Sequence, residues 1–182
     1  MKSILVGDLH IGINESDENF LSYQKKSLEW IIKESKRDDI TNVIFLGDIF
    51  DNRKALSHNA IELAQWFFEQ IEPKGIMICV GNHDTKHKNT LHPNWITLLL
   101  NKYSVADNTM YDSKNLWVSW INESNHDTIV DRIKESKCKY LFGHFELAGF
   151  KMLKGVNSQH DQIDRELLKK FKKVISGHYH CY

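Results

Sequence analysis

The sequence predicts an α/β fold with a largely parallel core sheet, on three observations. Short apolar runs rich in β-branched and aromatic residues recur along the chain; stretches with apolar residues at helical spacing separate them; and five of the runs end in a glycine followed by Asp, Asn or His. The runs are S-I-L-V (3–6), N-V-I-F-L (42–46), I-M-I-C-V (76–80), L-W-V-S-W-I (116–121), Y-L-F (140–142) and V-I-S (174–176). Their length and near-continuous apolarity predict strands, most of them buried on both faces.

After the first strand, Leu21, Leu28, Ile31 and Ile32 fall on one helical face; after the second, so do Ile61, Ala64, Phe68 and Ile71. That second helix is expected to end near Ile71, because Pro73 disfavours a helical residue before it and E-P-K-G turns into the third strand. Ile129 with Ile133 marks a helix ahead of the fifth strand, with Ser124 and Asp127 as a capping box. Ile163, Leu167 and Phe171 mark another ahead of the last strand. No repeat of fixed period and no low-complexity segment interrupts the alternation.

The 182 residues suffice for one domain, and no Ser/Gly/Pro-rich linker divides them. Lys plus Arg and Asp plus Glu number 24 each, so a nucleic-acid site would have to be local. Basic residues outnumber acidic ones between Asp131 and Lys173, including Lys169, Lys170, Lys172 and Lys173, a pattern that a solvated helix face explains as well as a polyanion site does. Cys79, Cys138 and Cys181 are far apart with no C-x-x-C, so neither a disulfide framework nor a thiolate zinc site is indicated, and reduced thiols in a cytoplasmic protein are expected. No signal-peptide pattern and no apolar run of membrane-spanning length occurs.

The chemistry-bearing residues follow the strands: Gly7-Asp8-Leu9-His10, Gly47-Asp48, Gly81-Asn82-His83-Asp84, Gly143-His144 and Gly177-His178-Tyr179-His180. In an open α/β sheet, ligands bind beyond the carboxyl ends of the strands, so these five ends are expected to converge. Asp8, His10, Asp48, Asn82, His144, His178 and His180 then supply oxygen and imidazole donors without thiolate, suited to two divalent first-row metals sharing a bridging carboxylate. Each fragment alone is a common turn; the set in this order is not.

The motifs D-x-H (8–10), G-D (47–48), G-N-H-D (81–84), G-H (143–144) and G-H-x-H (177–180) together resemble the calcineurin-like metallophosphoesterase superfamily. Within it, D-L-H-I-G (8–12) and G-D-I-F-D (47–51) are similar to the SbcD or Mre-eleven type of DNA nuclease. D-N-R-K-A-L-S-H (51–58), K-N-T-L-H-P-N (88–94) and G-H-F-E-L-A-G-F (143–150) resemble the nuclease subunits of T-even-phage recombination endonucleases. The resemblance implies a layered α/β/β/α sandwich and two metal ions, typically manganese, with Asp48 bridging. Asp8, His10 and His180 would complete one ion, and Asn82, His144 and His178 the other. It makes His83 the imidazole that contacts the scissile phosphate and helps protonate the leaving oxygen, with Asp51 orienting it.

Partners implied are DNA, an SbcC-like ABC ATPase and a second copy of the chain. Trp95, Ile96, Leu98, Leu99 and Leu100, with Trp66 and Phe67, are either dimerisation helices by that resemblance or ordinary core. Arg53, Lys54, His58, Lys88, Asn89 and His92 lie just beyond ligand-bearing loops, as DNA-backbone contacts or as solvated side chains. The alternatives to a manganese-dependent nuclease are a small-substrate phosphodiesterase of the same superfamily and a catalytically silent scaffold. Relatives of the nuclease type continue past G-H-x-H through further strands, a DNA-binding cap and an ATPase-docking region, so the resemblance predicts that these residues are the N-terminal piece of a longer protein.

Overall fold

Strands buried on both faces need a layer on each side, and the chain supplies those layers by splitting its strands between two sheets. The computed structural model describes residues 2–14, 17–72, 74–153, 156–157 and 162–179. In chain order its first half holds β1 (Lys2–Val6), α1 (Glu18–Ser35), β2 (Ile40–Phe45), α2 (His58–Ile71), β3 (Gly75–Cys79), α3 (Trp95–Leu99) and β4 (Ser104–Ala106). Then follow β5 (Thr109–Tyr111), β6 (Asn115–Val118), α4 (His126–Glu135), β7 (Tyr140–His144), β8 (Lys151–Leu153), β9 (Val156–Asn157), α5 (Arg165–Leu168) and β10 (Lys173–Gly177).

One sheet has the order β1-β2-β3-β4, all parallel. The other has the order β10-β7-β6-β5, parallel except for the β5–β6 hairpin. The single core sheet expected from the alternation is therefore two sheets, while the α/β class and the layered sandwich hold. Ile44, Leu46, Cys79, Ala106 and Trp117 fill the space between the sheets. On the outer face of the first sheet, Val43, Phe45 and Ile78 pack with Leu28, Phe67 and Phe68 of α1 and α2. On the outer face of the second, Leu116, Val118 and Leu141 pack with Ile129 and Ile133 of α4. Three phenylalanines, Phe45, Phe67 and Phe68, meet with centroids 4.9 to 5.9 Å apart. Burial contributes roughly 2–3 kcal/mol each.

Helix ends follow their sequence signals in places and depart from them in others. Asp17 caps α1 by accepting from Asn19 N, Ser57 caps α2 by accepting from Ala60 N, and α2 ends at Ile71 as its pattern predicts; Pro73 itself lies outside the described residues. The Ser124–Asp127 capping box does not form: Asn125 is the N-cap, without a side-chain cap bond, and Ser124 Oγ donates instead to Asn122 Oδ1. The helix expected over Ile163 to Phe171 is the single turn α5. Its two flanking apolar residues are buried from non-helical positions, because Ile163 and Phe171 reach the second-sheet core from either side of the turn. The strand expected over 116–121 stops at Val118, where Ser119 and Trp120 turn to bond with Asn108 and Val80. β1 and β10 are edges, with Leu5 39% exposed, so burial on both faces holds only for the inner strands. Of the apolar stretch after Asn94, Ile96 and Leu100 are core, Trp95 and Leu99 pack against it, and Leu98 is exposed.

Candidate metal centre

All five glycine-ended strands are parallel within their sheets, so their carboxyl ends lie along one side of the sandwich. Backbone bonds lock the loops together there. Leu9 N and His10 N both donate to Asp48 O at 3.0 Å, and Ile11 N donates to Ile49 O. From α1, Gln24 clamps the first loop, its Nε2 donating to His10 O and its Oε1 accepting from Gly12 N. His10, Asp48 and His178 all adopt positive φ (46, 50 and 86°). That conformation costs a non-glycine residue on the order of 1 kcal/mol, and its concentration here marks a site held by its surroundings.

Glycine is required where loops touch. Gly47 has φ 103°, and a Cβ on it would collide with the His144 imidazole and the Gly81 backbone; one on Gly81 would collide with Asp48. The result is a contact among residues far apart in sequence. His144 Nε2 lies 2.9 Å and His178 Nδ1 3.0 Å from Asn82 Oδ1. Asp48 Oδ1 accepts from His83 N at 2.7 Å, while Oδ2 lies 3.4 Å from His144 Nε2 and 3.8 Å from His10 Nε2.

Two groups with metal-ligand spacing result, His10–Asp48–His83 and Asp48–His144–His178, and Asp48 belongs to both. Asn82 adds its amide oxygen to the second. Asp8 uses its carboxylate to accept from His178 N at 2.9 and 3.2 Å and lies 3.7 Å from His144 Nδ1. His180 lies outside the described residues. His83, assigned by resemblance to the substrate rather than to metal, stands in the first group.

The imidazoles are oriented as metal ligands require. His144 Nδ1 donates to Leu46 O at 2.8 Å, and His178 Nε2 donates to Glu146 Oε1 at 2.8 Å. In each case one nitrogen is fixed to an acceptor outside the cluster, so the neutral ring turns its lone pair inward. Donor atoms about 3 Å apart suit neighbouring ligands on one ion with bonds of ~2.1 Å. The residues present therefore fit divalent metals, by spacing, by tautomer and by the absence of thiolate among the described residues of the cluster. His83 follows the same rule, with Nδ1 donating to Asp51 O at 2.6 Å. It is thus the main-chain carbonyl of Asp51 that holds His83, while the Asp51 carboxylate lies 3.2 Å from His10 Nδ1.

Electrostatics follow the packing. Burial pulls the His144 pKa down, but the charge and hydrogen bond of Asp48, with Asp8 and the Leu46 carbonyl, lift it to about 9. Asp48 shows the converse: burial opposes ionisation, yet His144 and the His83 N–H hold its carboxyl well below the usual range. Burial, then the positive charge of His144, lowers His178 against the pull of Glu146.

Several supporting residues were not among the candidate ligands. Glu146 is held by its own N–H, which donates to Gln162 Oε1. Asp84, fully buried, accepts from Phe50 N and Gly81 N and so fixes the G-N-H-D loop. Burial and the Asp48 charge raise its pKa to about 7. Trp120 packs its ring 5.1 Å from His178 and 5.9 Å from His144. The Asp of G-N-H-D was a sequence signal for a loop role; nothing local distinguished Glu146, Gln24 or Trp120.

Among the flanking polar residues, Arg53 Nη2 donates to Asn82 O at 2.8 Å. Lys54 and His58 are exposed. Lys88 and Asn89 line a cleft of about 460 Å³ that also borders Trp120 and Glu146. His92 Nε2 lies 2.8 Å from Asp107 Oδ1.

Residues 1–182 match the calcineurin-like phosphoesterase family. The chain is also 36% identical over 191 residues to "Exonuclease subunit 1" of Enterobacteria phage T4, an alignment that covers 99% of this chain and 55% of that protein. The chain thus spans about half the length of the curated relative it matches.

Proposed function

This chain belongs to the calcineurin-like phosphoesterase family, and from that premise we propose that it is the nuclease domain of a metal-dependent DNA exo/endonuclease. The observation that carries the reading is Asp48 standing between two groups of candidate ligands, the arrangement a bridged pair of ions needs. Support for DNA as substrate comes from the phage relative, itself named as an exonuclease subunit.

Hydrolysis of a phosphodiester needs its charge neutralised, a nucleophile at neutral pH and an acid for the departing oxygen. Two divalent ions, manganese by the family's habit, would supply the first two by Lewis acidity and by lowering the pKa of water. Asn82, His144 and His178 would hold one ion, and Asp8, His10 and His180 the other, with Asp48 shared. His83 would supply the acid when its ring carries both protons: Nδ1–H stays committed to the Asp51 carbonyl, and the Nε2 proton is the one given to the leaving oxygen, which leaves a neutral ring. Asp51 fixes that orientation through its backbone. Arg53, Lys54, His58, Lys88, Asn89 and His92 are candidate backbone contacts, which would position a strand without reading its sequence.

For the whole protein, we extend the proposal to an SbcC-like ABC ATPase partner, a homodimer, a role in phage recombination, replication or repair, and the cytoplasm of the host cell. No helix among the described residues is long and apolar enough to cross a membrane.

The test is cleavage of linear and hairpin DNA alongside bis-p-nitrophenyl phosphate, with manganese, for the wild type and His83→Ala. We expect DNA cleavage by the wild type. The variant should keep two ions by elemental analysis and lose turnover. Turnover of the small ester with no action on DNA would favour a small-substrate phosphodiesterase instead. Loss of one ion from the variant would make His83 a ligand with His10 and Asp48.

A further inference from the structure

A pocket of about 220 Å³ lies between the G-N-H-D loop and α3. Arg53, Lys54 and Lys86 line it, with Trp95 and Leu98 as an apolar wall. Arg53 is clasped at one end, Nη2 donating to the Asn82 carbonyl. Its Nη1 is buried and has no hydrogen-bond partner among the described residues. The Arg53 guanidinium lines the pocket with no ion pair among the described residues, so an anionic acceptor entering the pocket would meet an uncompensated charge.

The nearest acid does not fill that need. Asp84 lines the same pocket, but its two carboxylate oxygens accept from Phe50 N and Gly81 N. Among the described residues no ion pair occupies Lys54 or Lys86, and both are exposed. The wall is also suited to a sugar: Trp95 is fixed by Nε1 donating to Asn52 O, and Leu98 is 60% exposed. Three cations and an apolar face match a phosphate joined to a deoxyribose. Asn82 links the pocket to the metal centre, its amide oxygen facing His144 and His178 and its carbonyl facing Arg53.

We propose that the Arg53–Lys54–Lys86 pocket binds a phosphodiester of the nucleic-acid strand, flanking the one presented to the metal centre. The inference rests on the nuclease reading for its choice of ligand. A fork of guanidinium and ammonium groups holds a phosphate by charge-assisted bonds whatever the base, so the pocket adds affinity and register without sequence preference. It would also favour a substrate with neighbouring phosphates over an isolated diester.

The test is binding of a fluorescent oligothymidylate to the protein, followed by anisotropy across a salt series, with EDTA present so that neither metal nor turnover contributes. The double variant Lys54→Met with Lys86→Met should bind about tenfold more weakly at low salt. It should also lower the slope of log affinity against log salt by roughly 0.7 for each phosphate that the protein no longer neutralises. Arg53→Met should weaken binding further. Because Arg53 also clasps Asn82, the exposed lysines carry the test if that variant fails to fold.

Unchanged affinity and slope in the double variant, or no oligonucleotide binding by the wild type, would overturn the proposal. So would millimolar inorganic phosphate that abolishes the difference between wild type and variant, because the pocket would then be a free-phosphate site. If the variants weaken binding while the wild type with manganese cleaves no DNA, the pocket stands and the nuclease reading falls.

Discussion

Gly7 and Gly177 occupy equivalent places in the sequence, each closing a strand immediately before a candidate ligand, and alanine should be tolerated at one and not the other. Neither has positive φ, so the backbone admits alanine at both. A Cβ on Gly7 would meet no atom of the described residues within 4 Å. A Cβ on Gly177 would lie 2.5 Å from Asp8 Oδ1, 2.8 Å from Leu46 O and 3.0 Å from His144 Nδ1. Leu46 O already accepts from His144, and Leu46 N donates to Val6 O, so neither backbone nor ring withdraws freely. Asp8 has to retreat by about 0.5–1 Å to restore ordinary contact, and overpacking of this kind costs about 1–3 kcal/mol.

Gly7→Ala should instead be neutral or gain about 0.5 kcal/mol through the unfolded chain. Urea denaturation of the metal-free proteins measures both effects. Since misplacement of about 1 Å can cost on the order of 100-fold in rate, Gly177→Ala should also lose about that much bis-p-nitrophenyl phosphate turnover and bind manganese more weakly by calorimetry. Equal behaviour of the two variants, or wild-type metal affinity in Gly177→Ala, would show that the loops are not packed as described.

Three other expectations concern the supports of the centre. Removing the acceptor of His178 Nε2 with Glu146→Ala should weaken metal binding by about 10–100-fold, and Glu146→Gln, which keeps an acceptor, should recover most of it; identical calorimetric affinities for all three proteins would contradict this role. The His144 pKa is raised to about 9 in the metal-free fold. Its stabilising contribution is therefore complete below the unfolded value near 6.5 and is lost as pH rises through 9. A metal must displace that proton, so metal affinity should climb over the same interval, and the thermal shift on adding manganese should grow with pH; a flat shift between pH 6.5 and 9 would refute the coupling. Ser119 Oγ accepts from Val80 N at 2.7 Å and donates to Ala106 O, joining the two sheets just ahead of Gly81. Ser119→Ala leaves buried backbone groups without partners and should cost about 1–3 kcal/mol, and a urea midpoint equal to wild type would exclude that estimate.

Much of the site was legible because strand and glycine are local signals. A short apolar run ending in Gly-Asp or Gly-His declares both an element and the residue presented at its end, and parallel alternation fixes which end of the sheet that is. Asp8, His10, Asp48, Asn82, His144 and His178 were nameable on those grounds. His83 and Asp51 drew their expected roles from the family likeness, and in the structure it is the Asp51 carbonyl that meets His83 Nδ1. The weaker helical pattern over Ile163 to Phe171 failed because apolar residues at that spacing reach a core equally well from a single turn and its flanks.

The sequence by itself determined which residues are chemically able to hold metal, in what order they occur and at which strand ends they stand. Only the tertiary structure decided which atoms meet. Asp8 and His178 are 170 residues apart and His178 and Asn82 are 96 apart, so their hydrogen bonds depend on how two sheets pack and not on any local period. That packing distinguishes Gly177 from Gly7, commits Asp84 to the backbone and leaves one nitrogen of Arg53 without an acceptor among the described residues. These differences lie in the distances between separate loops, on which a pattern of residue types along one chain carries no information.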